Sequence, residues 1–204
     1  MTYSKDTAIY HYKNNLKLLS KKKGYEKYKK DVKKILSIIR KKKGGGIKYE
    51  KPLRKLIEKI ITDKTNLKPC KGTKISIDLF GQKYEPILDL VFEYKNKKIL
   101  IELKGWIKDT NSFRSVILQS ILIKKFPIKE FNNSHIFFYY VGNKDSKKNG
   151  RSNVFQPLLK FSESKKFLGD KKILDGIFCL SEIDKLVKDI IKKTGKKMRI
   201  SHYI

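Results

Sequence analysis

The chain has 204 residues, 50 of them lysine or arginine and 20 aspartate or glutamate, for a formal net charge of +30. That length suits one domain with an appended segment and excludes a second full one, while a charge of this size repels itself unless a polyanion shares it, which makes nucleic acid the expected partner. No apolar run approaches the roughly 18–20 residues of a spanning helix and no signal peptide opens the sequence, so a cytoplasmic protein with no membrane partner is expected; Cys70 and Cys179, without CxxC spacing, exclude a zinc site or a disulfide framework.

Two basic helices are expected first. Ile9, Tyr12, Leu16 and Leu19 mark one apolar stripe, and Tyr25, Tyr28, Val32, Ile35, Leu36 and Ile39 mark a second, with lysines on the other faces. Residues 41–46, three lysines then three glycines, read as a flexible joint. The expected division is a basic helical N-terminal segment and linker over 1–46 and a main domain over 47–204.

Residues 49–61 read as a helix, with Pro52 tolerated in its first turn and Leu53, Leu56, Ile57, Ile60 and Ile61 on its buried face. Alternation then predicts strands over 75–79, 87–93 and 98–104, in an antiparallel meander. A helix follows with Phe113, Val116, Ile117, Ser120 and Ile121 on one side, and the aromatic run 135–141 suits an interior strand. The polar, basic stretch 142–153 reads as a loop that carries binding contacts, with Lys144, Lys147, Lys148 and Arg151 as the candidates. A short helix near 154–161, a strand over 173–180 and a helix opened by Ser181, with Asp184 three residues on, complete the pass.

Chemistry concentrates in the segment ILDLVFEYKNKKILIELK, residues 87–104. If Lys95 and Asn96 form a two-residue hairpin loop, Asp89 falls opposite Glu102. Like charges opposed on a sheet are unfavourable, so the pair asks for a cation between them. If instead Asn96 and Lys97 form the loop, Asp89 opposes Lys104 in an ordinary cross-strand ion pair. In the first register Glu102 and Lys104 share one face. Two carboxylates suit magnesium, with manganese as a substitute, and Lys104 beside the ion could orient the attacking water or stabilise transition-state charge. An acid followed two residues later by lysine recurs elsewhere in so lysine-rich a chain, so the information lies in the apolar strands around this pair.

These residues resemble the motif of the PD-(D/E)XK nuclease superfamily, with Asp89 on one strand and Glu102, Leu103 and Lys104 on the next, Leu88 standing where the usual proline does. The resemblance implies an α/β, restriction-endonuclease-like core of helix, three-stranded antiparallel meander, helix and strand over 49–141. It further implies an acid from the first helix, Glu50 fitting best and Glu58 second. It also implies polar positions on the helix after the motif, Arg114, Gln119 and Ser120, that face the site or the DNA backbone. The implied activity is magnesium-dependent cleavage of double-stranded DNA, as in a homodimeric type II restriction endonuclease. A junction resolvase, a mobile-element endonuclease and a basic DNA-binding protein without turnover are the alternatives. His11, His135 and His202 are scattered and are assigned no chemistry; Trp106 reads as packing, and Lys21 to Lys23 and Lys41 to Lys43 as phosphate contacts.

Overall fold

The computed structural model describes residues 5–40, 47–70, 75–95, 97–104, 110–126, 131, 134–140, 152–169 and 171–195. In chain order these form α1 (Lys5–Lys21), α2 (Lys29–Arg40), α3 (Ile47–Thr65), β1 (Lys68–Pro69), β2 (Ile77–Leu79), β3 (Gln82–Tyr84), β4 (Leu90–Tyr94), β5 (Lys97–Lys104), α4 (Thr110–Lys125), β6 (His135–Tyr140), α5 (Ser152–Glu163), β7 (Gly176–Cys179) and α6 (Ile183–Thr194). The protein is mixed α/β. Its five-stranded sheet has the order β1-β4-β5-β6-β7, with antiparallel pairing from β1 to β5 and parallel pairing from β5 to β7. Parallel neighbours need crossovers, and α4 and α5 lie in the two connections.

The first strand of the expected meander is not the one observed. Residues 77–79 pair with 82–84 in a separate two-stranded hairpin, and Lys68–Pro69 takes the outer edge of β4 instead. Alternation marks a strand but not its partner, and a proline, which has no N–H to give a ladder, is at home on an edge. Helix α3 begins at Ile47, which puts Pro52 in its second turn rather than its first.

The strand alternation divides the core into two layers. Leu90, Phe92, Ile99, Ile101, Phe137 and Tyr139 face one side, where they meet Leu53, Leu56, Ile57 and Ile60 of α3, Leu186 and Ile190 of α6, and Leu16, Leu19, Val32 and Ile35 of α1 and α2. Val91, Leu100, Ile136 and Ile177 face the other, against Phe113, Val116 and Ile117 of α4 and Ile75 and Ile77 at the base of the hairpin. The sheet is therefore sandwiched between helices, as burial of both of its faces requires.

The connection between α1 and α2, and α2 itself, are also tied to the rest by polar contacts. Tyr28 Oη donates to Asp63 Oδ2 at 2.9 Å, Lys59 Nζ to Asp31 Oδ2 at 2.8 Å, and Lys22 pairs with Asp184 of α6. Lys22, expected at a phosphate, is thus spent within the fold. The cap of the last helical segment is displaced as well: Cys179 and Glu182, not Ser181 and Asp184, form the capping box, Glu182 Oε2 accepting from Cys179 N at 3.2 Å. Cys70 and Cys179 are free thiols, and burial pushes both upward.

Candidate active site

The hairpin of β4 and β5 turns through Lys95, whose φ of 51° provides the left-handed residue that a two-residue loop demands. Tyr94 pairs with Lys97 and Leu90 with Ile101, so the first of the two registers is the one present. The ladder ends at the Leu90–Ile101 pair, one residue short of Asp89 and Glu102. Strand β4 stops at Leu90, and from there the Asp89 carboxylate does the work of a main-chain acceptor: Oδ2 accepts from Leu103 N at 2.8 Å. The carboxylate is thereby anchored to the residue between Glu102 and Lys104.

The other oxygen of Asp89 is held by Arg54, whose Nη2 reaches Oδ1 from α3. Asp89 is 13 % exposed and Arg54 41 %, so the acid is fixed in the sheet while the guanidinium comes to it from a half-open position. Sequence reasoning missed Arg54. The signal was present: the chain has five arginines among its 50 basic residues, and one lies inside the apolar stripe of α3, four residues from each of the two acids weighed for that helix. Arginine's planar fork suits a fixed geometry that lysine cannot supply.

Glu102 is 8 % exposed, a charged side chain in the interior of the sheet. It lines a small pocket with Leu88, Leu100, Ile136, Gln119 and Ser120, so α4 covers the carboxylate. The structure brings Gln119 to this pocket, where its buried Nε2 has no hydrogen-bond partner among the described residues. Ser120 Oγ donates instead to Val116 O at 2.7 Å. Arg114 is exposed, about 140° round the helix from Gln119 by the 3.6-residue turn, and is not part of the pocket.

The backbone of Glu50 lies in the first turn of α3, one turn before Arg54, and Glu58 is half-buried one turn after it. Lys104 ends β5, paired with Tyr140. The side chains of Glu50 and Lys104 lie outside the described atoms, as do residues 41–46, Trp106, Lys144, Lys147, Lys148, Arg151 and His202.

No family model matches the chain, and no curated protein does. Among solved structures, the small subunit of the heterodimeric restriction endonuclease R.BspD6I is similar at a TM-score of 0.37 and 16% identity, over 71% of this chain and 69% of that one.

The described donors suit a hard cation. Asp89 and Glu102 each offer carboxylate oxygens, Asp89 at the end of β4, where the Arg54 guanidinium already bonds to it, and Glu102 in the pocket under α4. No group of three or more His, Cys, Asp or Glu that could hold a metal ion occurs among the described residues. A second charged cluster, around Asp175, lies at the opposite end of the sheet. There His135 Nδ1 is 3.1 Å from Asp175 Oδ1.

Proposed function

We propose that the protein is a magnesium-dependent endodeoxyribonuclease that cuts double-stranded DNA at Asp89, Glu102 and Lys104. The observation that carries this reading is the hydrogen bond from Leu103 N to the Asp89 carboxylate, which anchors that acid between the other two residues of the motif. Asp89 and Glu102 would hold the ion, which when bound supplies Lewis-acid charge and lowers the pKa of water. Lys104, two positions beyond Glu102, would orient the attacking water and offset charge on the phosphate, as one phosphorus–oxygen bond forms and another breaks to leave a phosphomonoester and a hydroxyl. Glu50 is the candidate for a further acid. The lysine excess supplies affinity without sequence information.

The resemblance of the motif makes a sequence-specific, type II restriction endonuclease the favoured form. Each chain would bring one site, so cutting both strands calls for a homodimer. The test is incubation of the full chain with long duplex DNA and Mg2+, then Mn2+. Discrete fragments are expected, and Asp89→Ala and Lys104→Ala should bind DNA without cutting it. Intact DNA with both metals, or cleavage that survives either substitution, overturns the reading; cutting confined to four-way junctions replaces it with a structure-specific nuclease.

A further inference from the structure

Asp89 meets two groups of different character. Leu103 N is main chain in the sheet and cannot leave, whereas Arg54 sits at the end of a long side chain from another element and is 41 % exposed. A guanidinium on Oδ1 and a divalent ion at the same carboxylate compete for the same electron pairs and repel each other. Phosphate is the natural alternative for the guanidinium, because its oxygens offer the fork two parallel acceptors and a full negative charge. In a chain of net charge +30, a DNA backbone brought to the site arrives with such acceptors.

We propose that Arg54 is a latch coupling metal binding to DNA binding: it fills the cation's place on Asp89 in the free protein and must be drawn off by a DNA phosphate before a divalent ion binds there. This rests on the reading of Asp89 as a metal ligand. Its consequence is that the free protein binds the ion weakly and the DNA complex binds it well. By linkage the ion strengthens DNA binding by the same factor. Arg54 acts here through Asp89, as a positioning residue, and in the complex its guanidinium lies on a backbone phosphate near the site.

The test is Mn2+ affinity of the full chain, read from the paramagnetic signal of the free ion, with and without a short random-sequence DNA duplex and after subtraction of binding to DNA alone. Without DNA, Arg54→Gln should bind Mn2+ about tenfold or more tightly than wild type, while Asp89→Asn and the double variant bind weakest and alike. Added duplex should then tighten binding to wild type by about tenfold but change Arg54→Gln by less than about twofold. Arg54→Lys, a cation without the fork, should fall between the two. It decides the matter if the glutamine variant unfolds, since an affinity no greater than that of wild type would then count against the latch. If Arg54→Gln matches wild type while Asp89→Asn loses the ion, the latch is overturned and the metal site stands. Equal tightening by DNA in both proteins also overturns it. If Asp89→Asn binds Mn2+ as wild type does, the metal site itself is overturned.

Discussion

Asp175 is held from four directions. Lys124 Nζ and Ile136 N donate to Oδ2, each at 2.9 Å, and Lys193 Nζ and His135 Nδ1 lie 3.0 and 3.1 Å from Oδ1. Burial by itself would raise this carboxyl, but the His135 hydrogen bond and the Lys124 charge outweigh it and hold it well below the ordinary carboxylate range. At Lys124 the balance is reversed, burial lowering the ammonium against the pull of Asp175. A carboxyl lowered on folding contributes stability that is full above its unfolded value of about 3.9 and is lost as pH falls toward the folded one. Thermal unfolding of the wild type should therefore shift down below about pH 4 more steeply than that of Asp175→Asn. That variant should already be weaker at pH 7 by about 3–5 kcal/mol, because it strands a lysine whose side chain is 5 % exposed. Gln119 presents the opposite case. A buried amide donor without a partner among the described residues costs about 1–3 kcal/mol, so Gln119→Met should raise stability by about 1 kcal/mol, or about 2–4 °C in Tm. If Gln119 serves the proposed site, cleavage should fall in the same variant. An unchanged or lower Tm would mean that the amide has a partner.

At the scale of elements, the β2–β3 hairpin has a turn of uncommon chemistry. Phe80 and Gly81 are its two central residues, with φ of 56° and 81°, and Asp78 Oδ1 steadies them by accepting from Gly81 N at 2.7 Å. Glycine is at ease there; phenylalanine is not, and its ring is 97 % exposed, so no packing offsets the left-handed backbone. Phe80→Asn should stabilise the protein by about 1 kcal/mol, read as a higher denaturant midpoint at unchanged slope. A lower midpoint would show that the ring packs in solution. The hairpin departs from the main chain path between β1 and β4, and five residues after it ends the chain reaches Asp89. Strand β4 and the site are thus entered from an insertion that is anchored by Ile75 and Ile77 in the α4-side core.

For the molecule as a whole, charge works against compactness. Fifty cationic side chains face 20 anionic ones, and the ion pairs that join residues 22–31 to α3 and α6 offset only part of that repulsion. Surface pairs of this kind contribute about 0–1 kcal/mol each, so screening the general repulsion should outweigh weakening them. Raising salt from about 20 to 300 mM, which shortens the Debye length from about 20 to 6 Å, should therefore raise Tm. DNA affinity should fall steeply over the same range, as released counterions require. A Tm that falls with salt would show that specific ion pairs, rather than net charge, govern stability. No helix among the described residues is long and apolar enough to cross a membrane.

The sequence by itself determined the helices, the longer strands and the β4–β5 hairpin. Apolar periodicity marked the buried faces of α2 and α3, since Val32, Ile35, Leu53, Ile57 and Ile60 recur at helical spacing and are all buried. Two apolar strands either side of a short polar turn left two registers, differing by one residue, and the left-handed Lys95 turn selects the one that pairs Tyr94 with Lys97 and Leu90 with Ile101. What only the tertiary structure decided were relations between segments far apart in the chain. Alternation in 75–79 could not reveal that Lys68–Pro69 would take the edge of β4, because a strand's pattern encodes its faces and not its neighbour. Nor could it show Arg54 on Asp89, 35 residues away, since a charge on a helix has no periodic signature of its partner. The β4–β5 hairpin was legible from local pattern; the arginine that meets Asp89 was not, because long-range packing alone brings α3 to the end of β4.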